Sequence, residues 1–429
     1  MSVFPVPDAH GLYATMRDYP YDCTEQLSAR GLTLVNLLPQ LSEADAAEAR
    51  TLVPQLIARL YARQNADGGF SYWGGGKSDS WVSSMAGVLL VQAQKAGFEV
   101  NDGVVKAWKA YQEKLSQAYR IAGNSLFSQA DEAYRLYSLA VAGASSQAGM
   151  NRLREGAGLT PQAQWLLASA YALSGKASTA NTLLNGVGRD FPEYSPYNLT
   201  YGSATRDRFA ALEALVLCDR MGEAMSLAQE LTADTRFSTQ ETAFAAVALA
   251  RLFQKAPNRE ARTVLENGVL TNNSEGTVYV TVATVTREAQ PASSNGLGIE
   301  VSYENADGTP VNPSALKQGT RFTARIKVQS KQAGRDLENL ALSLNVPSGW
   351  EIVNERMAGG ADDGYDHKDI RDNAVRWYFA LPAGRFKTFS VQLRAAYEGR
   401  FALPATTVEA MYEPAVQAAT AAGTASVIQ

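Results

Sequence analysis

From the start of the chain to about residue 272, apolar positions recur every three or four residues, the period of a helix with a buried face. Residues 46–63, 81–95 and 162–173 show it most clearly, and alanine and leucine dominate them. Short breaks punctuate the pattern: Asp67-Gly68-Gly69, Gly74-Gly75-Gly76, Ala122-Gly123-Asn124 and residues 186–194. A polar residue of N-cap type (Asp79, Ser128, Thr160, Thr205, Ser238) precedes each of five Ala-rich helices, at intervals of 49, 32, 45 and 33 residues. Most are followed by a second helical stretch, so the repeating unit is a helix pair. The spacing is too irregular for a regular solenoid, although a HEAT-like or TPR-like array is the alternative. About five or six pairs predict a closed ring of helical hairpins, an α/α toroid. Its inner helices are buried on all sides, which accounts for the alanine.

After about residue 274 the period changes. Residues 277–286 alternate polar with apolar, as a strand does. Further strands are predicted at 297–303, 321–329, 340–346, 374–379, 386–396 and 407–412, with turn signals such as Asp307-Gly308 and Pro347-Ser348-Gly349 between them. These read as an antiparallel β-sandwich. The expected organisation is multidomain, α then β: a toroid over 1–272, a strand and linker over 273–294, and a sandwich over 295–429. The 277–286 strand is cut off by Gln290-Pro291, which suits a strand of another domain whose other half lies elsewhere.

Composition narrows the function classes. Hydrophobic residues make up 46% and charged residues 19%, with net charge −4. Nothing favours nucleic acid or an anionic membrane surface, and no apolar run of about 20 residues encodes a membrane span. The opening Met-Ser-Val-Phe-Pro-Val-Pro does not read as a signal peptide. Patterned sequence begins by about residue 10, which suits a piece of a longer protein whose targeting signal lies upstream. No Asp-rich metal motif or zinc-ligand set occurs, and Gly74–Gly76 lack the Lys-Ser/Thr of a phosphate loop. No cofactor is expected.

Only Cys23 and Cys218 are available as thiols. Cys218, in Ala-Leu-Val-Leu-Cys-Asp, reads as a buried helix residue. Cys23 sits in Tyr19-Pro-Tyr-Asp-Cys-Thr-Glu-Gln26. Cys-x-x-Gln at a helix start brings a thiol near a side-chain amide. Attack of the sulfur on the amide carbon releases ammonia and leaves a strained internal thioester. An amine or hydroxyl can then take the acyl group of Gln26 and free the Cys23 thiol. The pair by itself is weak evidence, because such pairs occur by chance, and an inert cysteine is the plainer reading of it.

The wider pattern adds to this. The run from Tyr19 to Gln26 resembles the thioester motif of the alpha-2-macroglobulin and complement superfamily, most closely the bacterial alpha-2-macroglobulins. Residues 64–73 (Gln-Asn-Ala-Asp-Gly-Gly-Phe-Ser-Tyr-Trp) and Trp81 look like the same family's thioester domain. Leu337-Glu-Asn-Leu-Ala-Leu, Asp369-Ile-Arg-Asp and the stretch 399–414 resemble its last macroglobulin-like domain. Asp22 and Thr24 depart from the Gly and Leu that usually flank the cysteine. The resemblance implies a toroid and a sandwich, and a thioester between Cys23 and Gln26. It implies a shield from Tyr19, Trp81, Met411 and Tyr412, since an open thioester hydrolyses. It further implies covalent trapping of a target protease through lysine amines, with upstream domains supplying the bait. A periplasmic location follows, with membrane attachment only through an upstream lipid anchor.

Other readings stay open beside that one. The four shield positions also suit plain packing, and Glu25 suits a helix start. The histidines, His10 and His367, fall in no matching motif, so attack by amines rather than hydroxyls is expected. A non-reactive interaction protein of the same architecture with reduced Cys23 is one alternative. A toroid enzyme is another; it needs a polar or metal-binding cavity at the ring centre.

Overall fold

The computed structural model describes residues 7–120, 126–156, 158–191, 200–233, 237–255, 263–274, 277–280, 291–353 and 364–429. The break at 122–124, residues 192–194 of the break at 186–194, and 281–286 of the expected first strand lie outside the described residues; 277–280 form no strand. The chain divides into two units, Met1–Ala283 and Thr284–Gln429.

The first unit is helical. Its helices are α1 (Ala9–Arg17), α2 (Thr24–Leu37), α3 (Glu43–Tyr61), α4 (Ser80–Lys95), α5 (Asp102–Ala118), α6 (Leu126–Val141), α7 (Gln147–Arg154), α8 (Pro161–Leu173), α9 (Ala177–Leu184), α10 (Ala204–Leu217), α11 (Met221–Glu230) and α12 (Thr239–Lys255). Helices α2, α4, α6, α8, α10 and α12 each pack on the next, and α12 packs back on α2, so the ring closes. The remaining helices cover it: α1 lies on α2 and α12, α3 on α2 and α4, α5 on α4 and α6, α7 on α6 and α8, α9 on α8 and α11 on α10. This is the α/α toroid that the periodicity predicts.

The two kinds of helix bury differently. In α2 every residue except Asn36 is buried. In α3 only Ala49, Val53, Leu56, Ile57 and Leu60 are, a stripe along one face. Small residues let the ring helices and the helices that cover them approach closely. Gly87 of α4 is the extreme case, because a Cβ there meets the Trp108 ring at 1.8 Å. Trp108 is fully buried and its indole N–H donates to the Ser83 carbonyl at 2.8 Å.

Three of the five expected caps hold. Asp79, Thr160 and Ser238 each accept a backbone N–H at the start of a helix. Ser128 instead lies inside α6, and Thr205 inside α10, where Ser203 is the cap. Helical periodicity places a helix but leaves its first residue open by a turn, and a second polar residue nearby is enough to mislead.

A hairpin, β1 (Thr263–Glu266) and β2 (Val269–Asn272), occupies sequence read as helical. Asn267 and Gly268 both have positive φ, 51° and 79°, as a two-residue hairpin turn demands. The Asn-Gly signal was present, but the expected boundary at 272 overrode it. Val264, Leu265, Val269 and Leu270 stand exposed on it.

The second unit is a sandwich. Its strands are β3 (Ser293–Asn295), β4 (Leu297–Glu304), β5 (Leu316–Lys317), β6 (Arg321–Ser330), β7 (Leu337–Asn345), β8 (Trp350–Ile352), β9 (His367–Ile370), β10 (Ala374–Leu381), β11 (Phe386–Ala395), β12 (Gly399–Leu403), β13 (Thr407–Ala410), β14 (Glu413–Ala419) and β15 (Gly423–Ile428). A six-stranded sheet runs β3-β14-β13-β7-β10-β9 and a four-stranded one β4-β6-β11-β8. A small third sheet runs β12-β15-β5. Both larger sheets pair antiparallel throughout. Leu342, Trp377 and Phe379 of the first and Ile326, Val328 and Phe389 of the second share one core. In β6 the alternation is clean: Phe322, Ala324, Ile326 and Val328 are buried between more exposed neighbours.

Two consequences can be measured. Alanine is a better helix former than glycine by about 1 kcal/mol, but at Gly87 the clash with Trp108 dominates. Gly87→Ala is expected to lower stability by about 1–3 kcal/mol, read as a fall in Tm. Glu409, in β13 between Ala341 and Gln417, has its carboxyl pushed by burial up to about 7, from an ordinary 4.5. Between those values the folded protein holds a proton that the unfolded chain has released. Stability contributed by the neutral form is therefore complete below about 4.5 and falls as pH rises toward 7, by at most about 1.4 kcal/mol per unit. Glu409→Gln should flatten that decline in denaturant titrations at pH 5, 6 and 7.

Candidate functional site

The site begins with an unfilled requirement. The first turn of a helix has backbone N–H groups with no intrahelical partner. At α2 the Cys23 and Gln26 side chains meet part of that requirement. The Gln26 N–H points at Cys23 Sγ at 3.5 Å, and Gln26 Oε1 accepts the Cys23 N–H at 2.9 Å. This is a reciprocal capping box in which Cys and Gln take the places usually held by Ser/Thr and Glu/Gln. Both residues are buried, at 1% and 0% exposure. The sequence places the pair at a helix start; the structure adds that each side chain engages the other's backbone.

The flanking residues are anchored too. Asp22 is buried, with Oδ1 at 3.3 Å from Arg30 Nη1 and Oδ2 at 2.5 Å from Arg59 Nη1. Thr24 donates its N–H to the Tyr72 carbonyl at 2.9 Å and its hydroxyl to the Ser71 carbonyl at 2.5 Å. Arg63 also donates to the Tyr72 carbonyl, at 3.1 Å.

Two phenols lie beside the cysteine. The rings of Tyr72 and Tyr201 meet edge to face, with centroids 5.9 Å apart. Burial first, then the neighbouring acidic groups Tyr201, Asp79 and Cys23, push the Tyr72 hydroxyl well above its usual value. Burial raises Tyr201 to about 12. Both stay protonated at neutral pH, so they bring neutral donors rather than bases to the surroundings of Cys23. Tyr201 has φ 46°, a conformation unfavourable for a non-glycine residue. Neither phenol was singled out in the sequence. For Tyr72 the signal was there, inside the Gln64–Trp73 motif. For Tyr201, whose loop precedes α10, there was none.

The ring joins further groups at the same end of its helices. Glu25, fully buried, accepts the Thr239 hydroxyl at 2.9 and 3.0 Å. The next residue, Gln240, accepts from the Trp81 indole at 3.2 Å and from Arg206 at 3.1 Å. The Arg206 guanidinium lies 4.5 Å from the Trp81 ring centroid, a close cation–π approach, and also bonds Asp207 and the Thr200 carbonyl. Gly202 makes room for it, since a Cβ there meets Arg206 at 2.3 Å. On its other side Trp81 packs against Tyr134, at 4.5 Å. The N-terminal turns of α2, α4, α10 and α12 therefore meet in one polar and aromatic cluster.

The remaining predicted positions fall as follows. Tyr19 lies in the segment leading to Cys23, partly buried, edge to face with Tyr21 at 5.5 Å. Met411 and Tyr412, expected at a strand end, form the turn between β13 and β14, where the Met411 N–H donates to the Asn339 carbonyl at 3.1 Å. His10 sits at the exposed start of α1, 3.5 Å from Asp45, and His367 begins β9. Cys218 caps the end of α10, buried, with its thiol pushed up by burial. Among the described residues no group of three His, Cys, Asp or Glu is placed to hold a metal ion.

Comparison with known proteins finds alpha-2-macroglobulins among those this chain is similar to. Residues 296–415 match the family model of the bacterial alpha-2-macroglobulin MG10 domain. An alpha-2-macroglobulin of Xylella fastidiosa is 26% identical over 96% of this chain and 29% of its own length. An alpha-2-macroglobulin homolog of Yersinia pestis is 24% identical over 96% of this chain and 24% of its own. This chain thus spans about a quarter of the length of these relatives. In fold it is similar over 100% of its length to a Salmonella alpha-2-macroglobulin reacted with methylamine (TM-score 0.80, 20% identity, 31% of that chain). It is equally covered by an Escherichia coli alpha-2-macroglobulin spanning domain MG7 to the C-terminus (TM-score 0.78, 19% identity, 76% of that chain).

The capping role of Cys23 can be tested on its own. Cys23→Ala removes a cap acceptor and should cost about 1 kcal/mol in thermal or denaturant unfolding. Cys23→Ser keeps an acceptor of the preferred kind and should recover most of that loss.

Proposed function

With this chain counted among the bacterial alpha-2-macroglobulins, as their C-terminal region, we propose that it carries the reactive part of a protease trap. Cys23 and Gln26 form an internal thioester by loss of ammonia. When the trap is sprung, a lysine amine of the protease attacks the Gln26 acyl carbon. An amide bond forms, the carbon–sulfur bond breaks, and the proton passes to the Cys23 thiolate as it leaves. The chain is the acyl donor, used once, so the activity is inhibition by covalent trapping rather than turnover.

The observation that carries this reading is the buried reciprocal pairing of Cys23 and Gln26. It brings the thiol to the first turn from which the Gln26 side chain folds back, and it excludes water from both. The neutral phenols of Tyr72 and Tyr201 fit the same purpose, because a charged base beside the bond would hasten its hydrolysis. The Salmonella relative's reaction with methylamine supports amine attack as the chemistry.

Several further assignments belong to this proposal. Tyr19 and Trp81 on the toroid, and Met411 and Tyr412 on the sandwich, act as the shield that keeps water off the bond. Target proteases are the covalent partners, and upstream domains supply the bait. Residues 273–294 belong with a split CUB-like domain. The exposed apolar side chains of the hairpin just before them, Val264, Leu265, Val269 and Leu270, are what an unfinished β-domain presents. The whole protein works in the periplasm, held to the membrane by a lipid anchor outside this chain.

One observation favours a second reading. The same two hydrogen bonds make Cys23 and Gln26 a complete helix cap without any covalent bond. In that case the chain is an interaction module with a reduced cysteine. Intact mass separates the two. Thioester formation leaves the chain about 17 Da light, and methylamine then adds about 31 Da at Gln26 and exposes one thiol. A full mass, with Cys23 alkylated by iodoacetamide in the folded protein before any amine is added, would sink the trap reading.

A further inference from the structure

Cys23 is held from both sides by residues with no place in the chemistry. Asp22, on one side, is tied to Arg30, seven residues beyond Cys23 on α2. The Arg30 guanidinium also donates from Nε to the Met16 carbonyl at 2.9 Å and from Nη2 to the Arg17 carbonyl at 3.0 Å. Those are terminal carbonyls of α1, where the helix dipole favours a cation. One side chain thus pins the end of α1, the end of the 18–22 segment and the second turn of α2 together. Arg59, from α3, takes the other oxygen of Asp22. Thr24, on the other side, is tied to the 71–72 carbonyls, and Arg63 bonds one of them as well. The two ties run to different parts of the toroid: α1, α2 and α3 for Asp22, and the 63–79 loop for Thr24. A residue clamped on both sides by separate elements cannot turn about its own backbone without breaking one of them.

We infer that Asp22 and Thr24 are positioning residues, which hold Cys23 Sγ in reach of the Gln26 side chain and keep the Tyr19 segment closed over it. The inference rests on the thioester reading above and names what holds that bond in register. Glycine and leucine at these two positions have no polar side-chain group, so they can make neither the Asp22–arginine bonds nor the hydroxyl bond to the Ser71 carbonyl, and only the backbone bond from residue 24 to Tyr72 remains. This chain therefore orients its cysteine by polar anchoring. Both oxygens of the carboxylate beside the bond are engaged by arginines. Loss of either anchor leaves the sulfur in place on average but loosens its angle, and acyl chemistry is sensitive to such looseness.

The test uses the whole chain with Asp22→Asn, Thr24→Val and, as the conservative control, Thr24→Ser. Valine matches threonine in shape and removes only the hydroxyl. Three readouts are taken well below Tm on variants with unchanged circular dichroism: the fraction of chains lacking ammonia, the rate at which free thiol appears at pH 7.5, and deuterium exchange over residues 18–26. The expected result for Asp22→Asn and Thr24→Val is a smaller ammonia-deficient fraction, thiol release faster by about tenfold, and faster exchange in 18–26. Thr24→Ser should match the parent protein in all three. Should Asp22→Asn fail to fold, Arg59→Met removes the outer half of the same anchor from a side chain that is 44% exposed. The inference is overturned if folded Thr24→Val and the Asp22 or Arg59 variant keep the parent's fraction and release rate. If the parent itself shows no ammonia deficit, the thioester reading fails. The anchoring is then judged by exchange alone, and unchanged exchange overturns it too.

Discussion

The first turn of α2 is the point from which the rest of the toroid's organisation can be understood. A buried helix start has to satisfy its own N–H groups, because water is not there to do it. Here a thiol and a carboxamide do so, each bonding the other residue's backbone. That choice is poor as capping, since sulfur is a weak acceptor. In the proposed thioester chemistry its merit is that it packs a nucleophile and an acyl group into one buried turn. Everything around the turn serves to keep it dry and fixed. Asp22 and Thr24 are tied outward, the phenols stay neutral, and Glu25 accepts the Thr239 hydroxyl.

Ring closure supplies what this turn needs. Because α12 returns to α2, residues more than 200 positions apart in sequence come into contact, as Glu25 and Thr239 do. The neighbouring pair, Gln240 and Trp81, extends the contact to α4, and Arg206 extends it to α10. The cation–π pairing of Arg206 with Trp81 lets a charged side chain at 1% exposure sit among aromatic rings, and its guanidinium donates to Asp207, Gln240 and the Thr200 carbonyl. The polar residues at the ring mouth are thus a connected set, and the aromatic residues fill the space between them. The cluster is a structural lining for the helix starts.

The sandwich is simpler, and its strands follow the pleat. Alternation in β6 and a denser apolar run in β7 are what a sheet with one core face, and a sheet with more of its surface covered, should show. The departures from expectation come where two signals compete. At 263–272 a hairpin signal lost to a compositional boundary. At Met411-Tyr412 an apolar pair read as a strand end proves to be the turn itself, since a bulge after Glu409 shifts the register and ends β13 at Ala410.

Periodicity, composition and a few motifs were enough by themselves to determine a helical ring followed by a sandwich, and to single out Cys23 and Gln26 as the pair of interest. Those are local properties. A helix face, a strand's alternation and a four-residue spacing at a helix start are all written within a few residues of one another. Only the tertiary structure decided that Asp22 and Thr24 are anchors, that Tyr201 stands beside Cys23 through Tyr72, and that Trp81 rests on Arg206. Each of these joins segments tens to hundreds of residues apart, through hydrogen bonds and ring contacts that leave no period in the chain. Asp22 is the plainest case. In the sequence it is a departure beside the cysteine, and its purpose appears only when Arg30 and Arg59 arrive from two different helices.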